Sequence, residues 1–465
     1  MDIGRKTKGA EFTWICNNYS SIGCSRDGNT HIDEHYIYLF LDKALKPGKT
    51  YTVYTGELAE NIKSIQFTYD EKMLRSDAVH VNQIGYSPLS PAKYGYIYHW
   101  MGDKGGIDLS GYAGNEFKII DYKTHEVVYT GNIDFRKSAD NSETYQEQDQ
   151  YTKNFLGSEV YECNFSDFTT PGMYVLSVDS IGCSYPFIID REAYRQPYYT
   201  TIRGLFHNRS GIELTEPYTE FTRPAPHNPE ITQGFAGKLQ YTTSRAIDWG
   251  GEEGNAKSLI EAGLLGPIHT WGWYQDAGDW DGYYSHSRIP ILLMFTWEMK
   301  PENFKDNELN ILESGNGIPD LLDEARWLIR YYYRTRHAIL EAGYGTGGLG
   351  FRVAGDWFGN DEDPQGRARA SYHDTTRMYI VSGEDPFATY QYAGLAAHFA
   401  LCLKKAGLTD PEGIDWEQEA LDAYNWAKNN TKTGDETNTS LGGTAGLRDP
   451  RAYAAASLYR MTADV

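Results

Sequence analysis

Three carboxylates, Asp276, Asp279 and Asp281, lie within six consecutive residues of the segment Trp271 to Asp281. Tryptophan and tyrosine flank them, and Gly278 allows the backbone to turn tightly between the first two. A carboxylate can activate water, and flat aromatic faces can stack against sugar rings. The pattern therefore indicates a site for carbohydrate chemistry. The alternative is a solvated turn in which Asp279 or Asp281 caps the following helix.

The composition is that of an ordinary soluble globular protein. The chain has 465 residues, of which 40% are hydrophobic and 23% are charged. Its net charge of −21 argues against nucleic acid and anionic membrane surfaces as partners. No apolar run is long enough to predict a membrane span. The first residues are not a signal peptide, which indicates either a cytoplasmic protein or a chain whose natural start is missing.

The cysteines predict neither a zinc site nor a disulfide framework. The chain has five, and no pair has Cys-x-x-Cys spacing. Cys163 and Cys183 could bridge two strands, but we expect free buried thiols. Loop carboxylates and carbonyls are able to hold calcium, yet no EF-hand spacing supports such a site. We therefore expect that no cofactor is required.

Short strands dominate the first part of the chain. Residues 1–77 are predicted to be β-rich, with strands at 36–41 and 50–55, and resemble the end of a sandwich module. Residues 78–191 open with Val79 to Tyr86 and alternate strands with turn signals. This pattern predicts an antiparallel sandwich of immunoglobulin type.

The spacing of apolar residues changes at about residue 192, from the period of two that is typical of strands to the period of 3.6 that is typical of helices. Helices are predicted at 193–207, 285–299, 319–336, 388–406, 416–430 and from 450 onward. The region 208–270 is polar and is predicted to have little regular structure. Residues 192–465 are therefore expected to form helical hairpins whose loops gather on one face, with the carboxylate segment leading into the second helix.

Several segments together resemble glycoside hydrolase family 9. Val79 to Tyr86 looks like the opening strand of its N-terminal immunoglobulin-like domain, and Asp276 to Asp279 resembles its catalytic-base motif. Phe206 to Gly211 resembles the end of the first catalytic helix, and Glu313 to Trp327 resembles a helix-opening segment that follows the base motif. The order and spacing fit over residues 78–465.

This resemblance implies a fold and a mechanism. The catalytic domain would be an (α/α)6 barrel of twelve helices that hydrolyses β-glucosidic bonds, mostly β-1,4, with inversion. Asp279 would be the general base, and Asp276 would help hold the nucleophilic water. A second carboxylate on one water orients it, and the like charge raises the basicity of the first.

The chain departs from the family pattern after Asp279. The family's general acid is a glutamate near the end of the catalytic domain, and nothing downstream matches its motif. Glu384 and Glu436 lie in polar stretches without a surrounding motif. Six predicted helices stand where the family has twelve. We therefore expect an incomplete barrel that lacks its general acid and is poorly stable and inactive alone.

Aromatic and basic residues are the candidates for substrate contact: Trp273, Tyr274, Trp280, His286, Arg223, His227 and Trp357. For Trp273 the alternative is core packing, and for His286 it is a surface position. Gly355-Asp356 stands where the family often has a histidine, which leaves exo-action, xyloglucan or a short oligosaccharide open as alternatives to plain endocellulase activity. Asp320, Asp323 and Glu324 are predicted to be helix-start charges rather than catalytic groups.

Two other classes of function remain as alternatives. One is a sugar-binding protein that does not cut its ligand. The other is an (α/α)6 polysaccharide lyase, although a lyase needs basic residues for its uronic acids and this chain is acidic. The predicted partner is a β-glucan, the predicted state is a monomer, and the full-length protein is expected to be secreted or periplasmic.

Overall fold

The structure, a computed structural model, divides into two compact units, Met1–Tyr198 and Tyr199–Val465. It describes residues 2–14, 19–20, 23–24, 29–141, 154–244, 263–275, 282, 284–350, 352–355, 372, 378–432 and 446–463. For Tyr284 and for those of the described residues that fall between 10 and 32, only the backbone is described.

The first unit begins with paired strands. Strand β1 (Asp2–Trp14) pairs antiparallel with β4 (Asn29–Phe40), and the short β2 (Tyr19–Ser20) and β3 (Gly23–Cys24) pair with each other. Strand β5 (Thr50–Tyr54) pairs with β6 (Ser64–Thr68). The strands predicted near residues 36–41 and 50–55 are confirmed, and each lies in a two-stranded sheet.

An eight-stranded antiparallel sheet forms the rest of the first unit. Its strands are β7 (Val79–His80), β8 (Tyr94–Ile97), β9 (Glu116–Asp121), β10 (Val127–Lys137), β11 (Val160–Asn164), β12 (Gly172–Val178), β13 (Gly182–Cys183) and β14 (Phe187–Ile189). The long β10 pairs with β9 along its first half and with β11 along its second, so one sheet wraps around a single core. That core contains Ile97, Phe117, Ile133 and Leu176, all fully buried. Cys163 and Cys183 are free and buried, as predicted.

The described residues contain six α-helices. They are α1 (Arg195–His207), α2 (Arg288–Met299), α3 (Asp320–Glu341), α4 (Pro386–Ala406), α5 (Trp416–Asn430) and α6 (Arg448–Thr462). Each predicted helix is present, and most ends agree within a few residues. No helix in the described part of the chain is long and apolar enough to span a membrane.

Helix α4 is the centre of the helical unit. Seventeen of its 21 residues are buried, and an apolar surface on all sides marks a helix that is enclosed by its neighbours. The Asp385 side chain caps its start by accepting the N–H groups of Phe387 and Ala388, and Gly407 ends it with φ 69°. Helices α2, α3, α5 and α6 all contact α4.

A four-stranded sheet lies within the helical unit. Strands β15 (Leu239–Thr242), β16 (Leu264–Pro267), β17 (Val353–Gly355) and β18 (Tyr379–Val381) have the order β16-β15-β18-β17. The prediction of little regular structure over 208–270 is therefore wrong for β15 and β16. Strands of four residues or fewer show too little alternation to be recognised, and one partner of β15, the strand β18, lies more than 100 residues away.

Candidate active site

The segment that leads into the carboxylate loop is held by the residues that follow α1. Ser210 donates its N–H to the carbonyl of Trp273 at 2.8 Å, and Gln275 donates to the carbonyl of Asn208 at 3.1 Å. The Asn208 amide Nδ2 returns a hydrogen bond to the carbonyl of Gln275 at 2.7 Å. The backbone is thereby fixed up to the residue before Asp276.

The other border of the loop is held by β17. Gly282 and Val353 exchange both backbone hydrogen bonds, at 3.1 and 3.2 Å. A Cβ atom at Gly282 would lie 2.9 Å from the Trp273 ring, so only glycine fits this close approach. The loop therefore begins and ends at fixed points. Asp276, Asp279, Trp280 and Asp281, and also Trp357, lie outside the described residues.

A buried ionic cluster lies behind the N-terminal border. Arg209 has no exposed surface, and its guanidinium donates to Glu324 at 2.9 and 3.2 Å and to Glu313 at 2.9 and 3.1 Å. The Tyr274 hydroxyl donates to the Glu324 carboxylate at 2.5 Å. The ring of Trp327 lies 4.4 Å from the guanidinium carbon. We call Arg209, Tyr274, Glu313 and Glu324 the buried ionic cluster.

This cluster joins three sequence segments that were singled out separately. Arg209 comes from the segment Phe206 to Gly211, Tyr274 from the aromatic and acidic segment, and both glutamates from Glu313 to Trp327. Burial opposes the charge of Arg209, but the attraction of Glu313 and Glu324 outweighs it and raises the pKa of Arg209. Burial also raises the pKa of Tyr274 well above its usual range, so its hydroxyl remains a donor.

The three acids predicted to be helix-start charges, Asp320, Asp323 and Glu324, lie at the start of α3 and are buried. Asp320 accepts three backbone N–H groups of the loop 307–309, at 2.6 to 3.0 Å. Burial raises the pKa of Asp323 to about 8, so this side chain is mainly neutral near pH 7. Asp323 is thus kept mainly protonated inside the fold.

Trp273 packs with other aromatic rings in the interior of the helical unit. It is buried, and its ring stacks on that of His227 with 5.2 Å between centroids and 15° between planes. Tyr331 of α3 meets it edge-on at 5.7 Å. His227 is held by the Ser210 hydroxyl at 2.9 Å and by the Tyr379 hydroxyl at 2.8 Å. The structure therefore brings two predicted site residues, Trp273 and His227, into direct contact.

A small cavity lies beside the rings of Trp273 and Tyr331. Its volume is about 10 Å³, roughly one water molecule, and its lining includes Trp273, Gly282, His286, Tyr331 and Arg352. His286 is half-buried here, in the 3₁₀ turn that precedes α2. The cavity places the predicted His286 next to Trp273 and to the C-terminal border of the loop.

Arg223 contacts the backbone of the segment that follows α1. Its guanidinium donates to the carbonyls of Arg209, Ile212 and His207 at 2.7, 3.1 and 3.2 Å. Burial lowers its pKa to about 10. It also lines a cavity of about 950 Å³ beside Tyr218. These contacts hold the backbone of the segment, and sugar contact by Arg223 stays a prediction.

Sequence reasoning missed the residues that organise the site. Arg209 and Glu313 lie within segments quoted for the resemblance, but neither was proposed as a functional residue. Tyr331 and Tyr379 lie in no motif that would mark them as functional, and the sequence does not distinguish them from other tyrosines of the hydrophobic core. In the described part of the chain, no group of three or more His, Cys, Asp or Glu could hold a metal ion. The expectation that no cofactor is required, with structural calcium as the open alternative, therefore stays a prediction.

Comparisons with known proteins agree with this architecture. A family model for the cellulase N-terminal immunoglobulin-like domain matches residues 75–183. The cellulose 1,4-beta-cellobiosidase of Acetivibrio thermocellus is 26% identical over 62% of this chain and 30% of its own length. Endoglucanase D of the same organism is 25% identical over 73% of this chain and 46% of its own length. The xyloglucan-specific endo-beta-1,4-glucanase of Bacteroides ovatus is 26% identical over 57% of this chain and 37% of its own length. The chain thus spans between 30% and 46% of these relatives' lengths.

Solved structures show the same fold. A metagenome-derived family 9 endoglucanase superposes with a TM-score of 0.57 over 83% of this chain and 62% of its own, at 20% identity. A family 9 glycoside hydrolase of Bacteroides ovatus superposes with a TM-score of 0.59 over 84% of this chain and 63% of its own, also at 20% identity. The predicted fold class, an immunoglobulin-like sandwich followed by a helical domain of (α/α)6 type, is confirmed. The chain is therefore similar to cellulases in sequence and to family 9 glycoside hydrolases in fold, and its residues 75–183 match the N-terminal immunoglobulin-like domain of the cellulases.

Proposed function

We propose that this chain carries the base half of the active site of an inverting β-glucan hydrolase. Asp279 is the general base, and Asp276 orients the water that attacks the anomeric carbon. The observation that supports this most strongly is the fixation of the carboxylate loop at both borders, by Asn208 and Ser210 on one side and by Val353 on the other. Precise loop borders are what a base needs to hold water near a sugar.

The mechanism follows from two carboxylates that act on one water. Asp279 removes a proton as the water attacks the face opposite the leaving group, and the configuration inverts. Base and acid in such enzymes stand about 6.5–9.5 Å apart, so Asp276 and Asp279, which share one water, are not the acid–base pair. The acid would be a glutamate, and no glutamate of this chain is assigned to that role. This chemistry needs no metal or organic cofactor.

The proposed substrate is a neutral β-glucan, mostly β-1,4-linked. The relatives are named for cellulose, for xyloglucan and as endoglucanases, so the exact glucan and the endo or exo mode are separate questions. Trp273, Tyr274, Trp280, His286 and Trp357 are proposed to surround the sugar, directly or by shaping the floor of the site. A polymeric substrate also places the full-length protein in the periplasm or outside the cell.

The test uses β-cellobiosyl fluoride, because fluoride departs without protonation and its hydrolysis needs a base but no general acid. The chain is expected to hydrolyse it and to release α-cellobiose first, as followed by NMR. Asp279→Asn is expected to lower the rate by about 100-fold or more. Asp281→Asn, which removes a nearby carboxylate that we assign no catalytic role, serves as the matched control.

Each other outcome points to another function. Equal rates for wild type and Asp279→Asn, or release of β-cellobiose, would overturn the proposal. Glucan binding without turnover of the fluoride would favour a sugar-binding protein. Unsaturated products that absorb in the ultraviolet, formed from polyuronates, would favour a lyase.

A further inference from the structure

A second cavity, of about 430 Å³, lies in the first unit. One wall comes from the β1–β4 pair and includes Lys6, Lys8 and Tyr36. The other wall comes from the edge of the eight-stranded sheet and its neighbouring turns, and includes Arg75, His80, Tyr98, Trp100 and Tyr185. Its volume falls in the range of small-molecule sites, about 300–1,000 Å³.

Aromatic rings give this cavity flat apolar surfaces. Trp100 and Tyr185 each leave 45% of their surface exposed, although both are large enough to contribute to a core. The rings of His80 and Tyr98 stack nearly parallel, with centroids 3.9 Å apart and 11° between planes. Exposed aromatic rings gathered around one concave surface indicate a binding site more than a folding requirement.

Two of the three Lys and Arg side chains that line the cavity are paired with carboxylates, and the third, Lys6, lies 4.5 Å from the centre of the Tyr36 ring. Arg75 contacts Asp77 at 2.6 Å, and its guanidinium carbon lies 4.5 Å from the centre of the Tyr185 ring. Lys8 contacts Glu34 at 2.9 Å, and the Tyr36 hydroxyl donates to the same carboxylate at 2.7 Å. An anionic ligand would have to displace these carboxylates. A sugar hydroxyl both donates and accepts, so it can bind a fixed ion pair without breaking it.

The β1–β4 pair is fastened to the sheet beside this cavity. The Lys104 ammonium contacts Asp2 at 2.7 Å, and the backbone N–H of Arg5 donates to Asp103 at 2.7 Å. His99 and Tyr38 join the two parts through a bond of 3.0 Å. These contacts join the two walls directly beside the cavity.

We propose that this cavity binds one or two pyranose rings of a neutral oligosaccharide, with Trp100 and Tyr185 as stacking surfaces and the Arg75–Asp77 pair as the hydroxyl contact. The choice of a β-glucan as the ligand rests on the proposed function. The site itself rests on the cavity, its aromatic rings and its paired charges. It would hold a polymer without cutting it.

The test measures binding of the whole chain to insoluble cellulose and to xyloglucan in an Asp279→Asn background, which prevents turnover. Trp100→Ala and Tyr185→Ala are each expected to weaken binding by about ten-fold or more. Tyr122→Ala, at a tyrosine of the same unit with 42% exposure that does not line the cavity, is the matched control and should bind as its parent does. Two cavity variants are used because one of them could fold poorly, which a lowered Tm would reveal. The other variant then still tests the inference.

The outcome separates this inference from the proposed function. In the background with Asp279 intact, Trp100→Ala should hydrolyse β-cellobiosyl fluoride at the parental rate while polymer binding falls. If both cavity variants bind like Tyr122→Ala, or if the parent binds neither polymer, the inference is overturned. If binding depends on Trp100 but the fluoride is not hydrolysed, the inference stands and the proposed function fails.

Discussion

At the scale of single residues, the buried ionic cluster contributes geometry more than net stability. Removing Arg209 and Glu324 from water is costly, and their attraction in a dry interior roughly repays that cost. What the cluster supplies is position, because Glu324 fixes the Tyr274 hydroxyl and Arg209 immobilises the backbone that pairs with Trp273 and Gln275. A charge pair restricts orientation in a way that apolar packing does not.

Breaking this cluster should be strongly destabilising. Arg209→Met keeps the apolar stem but leaves the fully buried Glu324 without its cation, so the free energy of unfolding is expected to fall by about 3–5 kcal/mol. Lys300→Met is the control, since Lys300 pairs with Glu302 at 2.8 Å on the surface of the same unit and should give no measurable change. Urea unfolding followed by far-UV circular dichroism compares the two. Equal losses would contradict the role assigned to the cluster.

The residue roles that sequence could reveal were those attached to a motif. Asp276 and Asp279 were found because acids among aromatics suggest sugar chemistry, but their described surroundings begin only at Gln275 and Gly282. Glu324 was read as a helix-start charge, because a carboxylate in an early helical turn has the same sequence signature whether it faces solvent or the core. Its burial depends on Arg209, which lies 115 residues away. No local pattern contains that information.

At the scale of elements, helices were predictable and short strands were not. The 22 residues of α3 offer several repeats of the 3.6 period, and α5 was predicted with its observed bounds. β17 and β18 have three residues each, and β18 also pairs with β15, which lies far away along the chain. These unpredicted strands matter, because β17 supplies Val353, the anchor of the loop's C-terminal border.

That anchor gives a test at the level of the element. In Gly282→Ala the new Cβ would lie 2.9 Å from Trp273, which is wedged against His227 and Tyr331 and cannot easily retreat. The pairing with β17 must therefore shift, and a displacement of the loop should lower β-cellobiosyl fluoride hydrolysis by about ten-fold or more. Overpacking should also cost about 1–3 kcal/mol of stability.

Gly204→Ala is the control for that substitution. A Cβ at Gly204, within α1, meets nothing within 4 Å, and alanine is the better helix former. It is expected to leave the rate unchanged and stability equal or slightly higher. If Gly282→Ala behaved in the same way, Gly282 would not be an anchor of the loop.

At the scale of the whole molecule, the order of the β-rich and helical parts and the net charge could be predicted from the sequence, whereas the cavity of the first unit could not. Composition and period changes predicted a β-rich part followed by helices, and the structure agrees. The cavity between the β1–β4 pair and the eight-stranded sheet had no sequence signal, because its rings come from Tyr36, Trp100 and Tyr185, which are far apart along the chain. Only the pairing of strands brings them together.

The net charge of −21 bears on the class of polysaccharide. A polyuronate would be repelled by this chain, and any binding would need a local basic surface whose attraction fades as salt screens it. A neutral glucan has no charge to screen, so its binding depends on ring stacking and hydrogen bonds. The response to salt therefore separates the hydrolase and the sugar-binding protein from the lyase alternative.

We expect xyloglucan binding and β-cellobiosyl fluoride hydrolysis to change by less than about two-fold between about 50 and 500 mM NaCl, over which the Debye length falls from roughly 14 to 4 Å. Polygalacturonate should not bind at either salt concentration, because the acidic surface repels it. Affinity gel electrophoresis measures the binding of xyloglucan and of polygalacturonate. Initial rates measure the hydrolysis of β-cellobiosyl fluoride. Retention by polygalacturonate at low salt that disappears at high salt would mean that a basic cleft exists, and it would favour the lyase over the hydrolase.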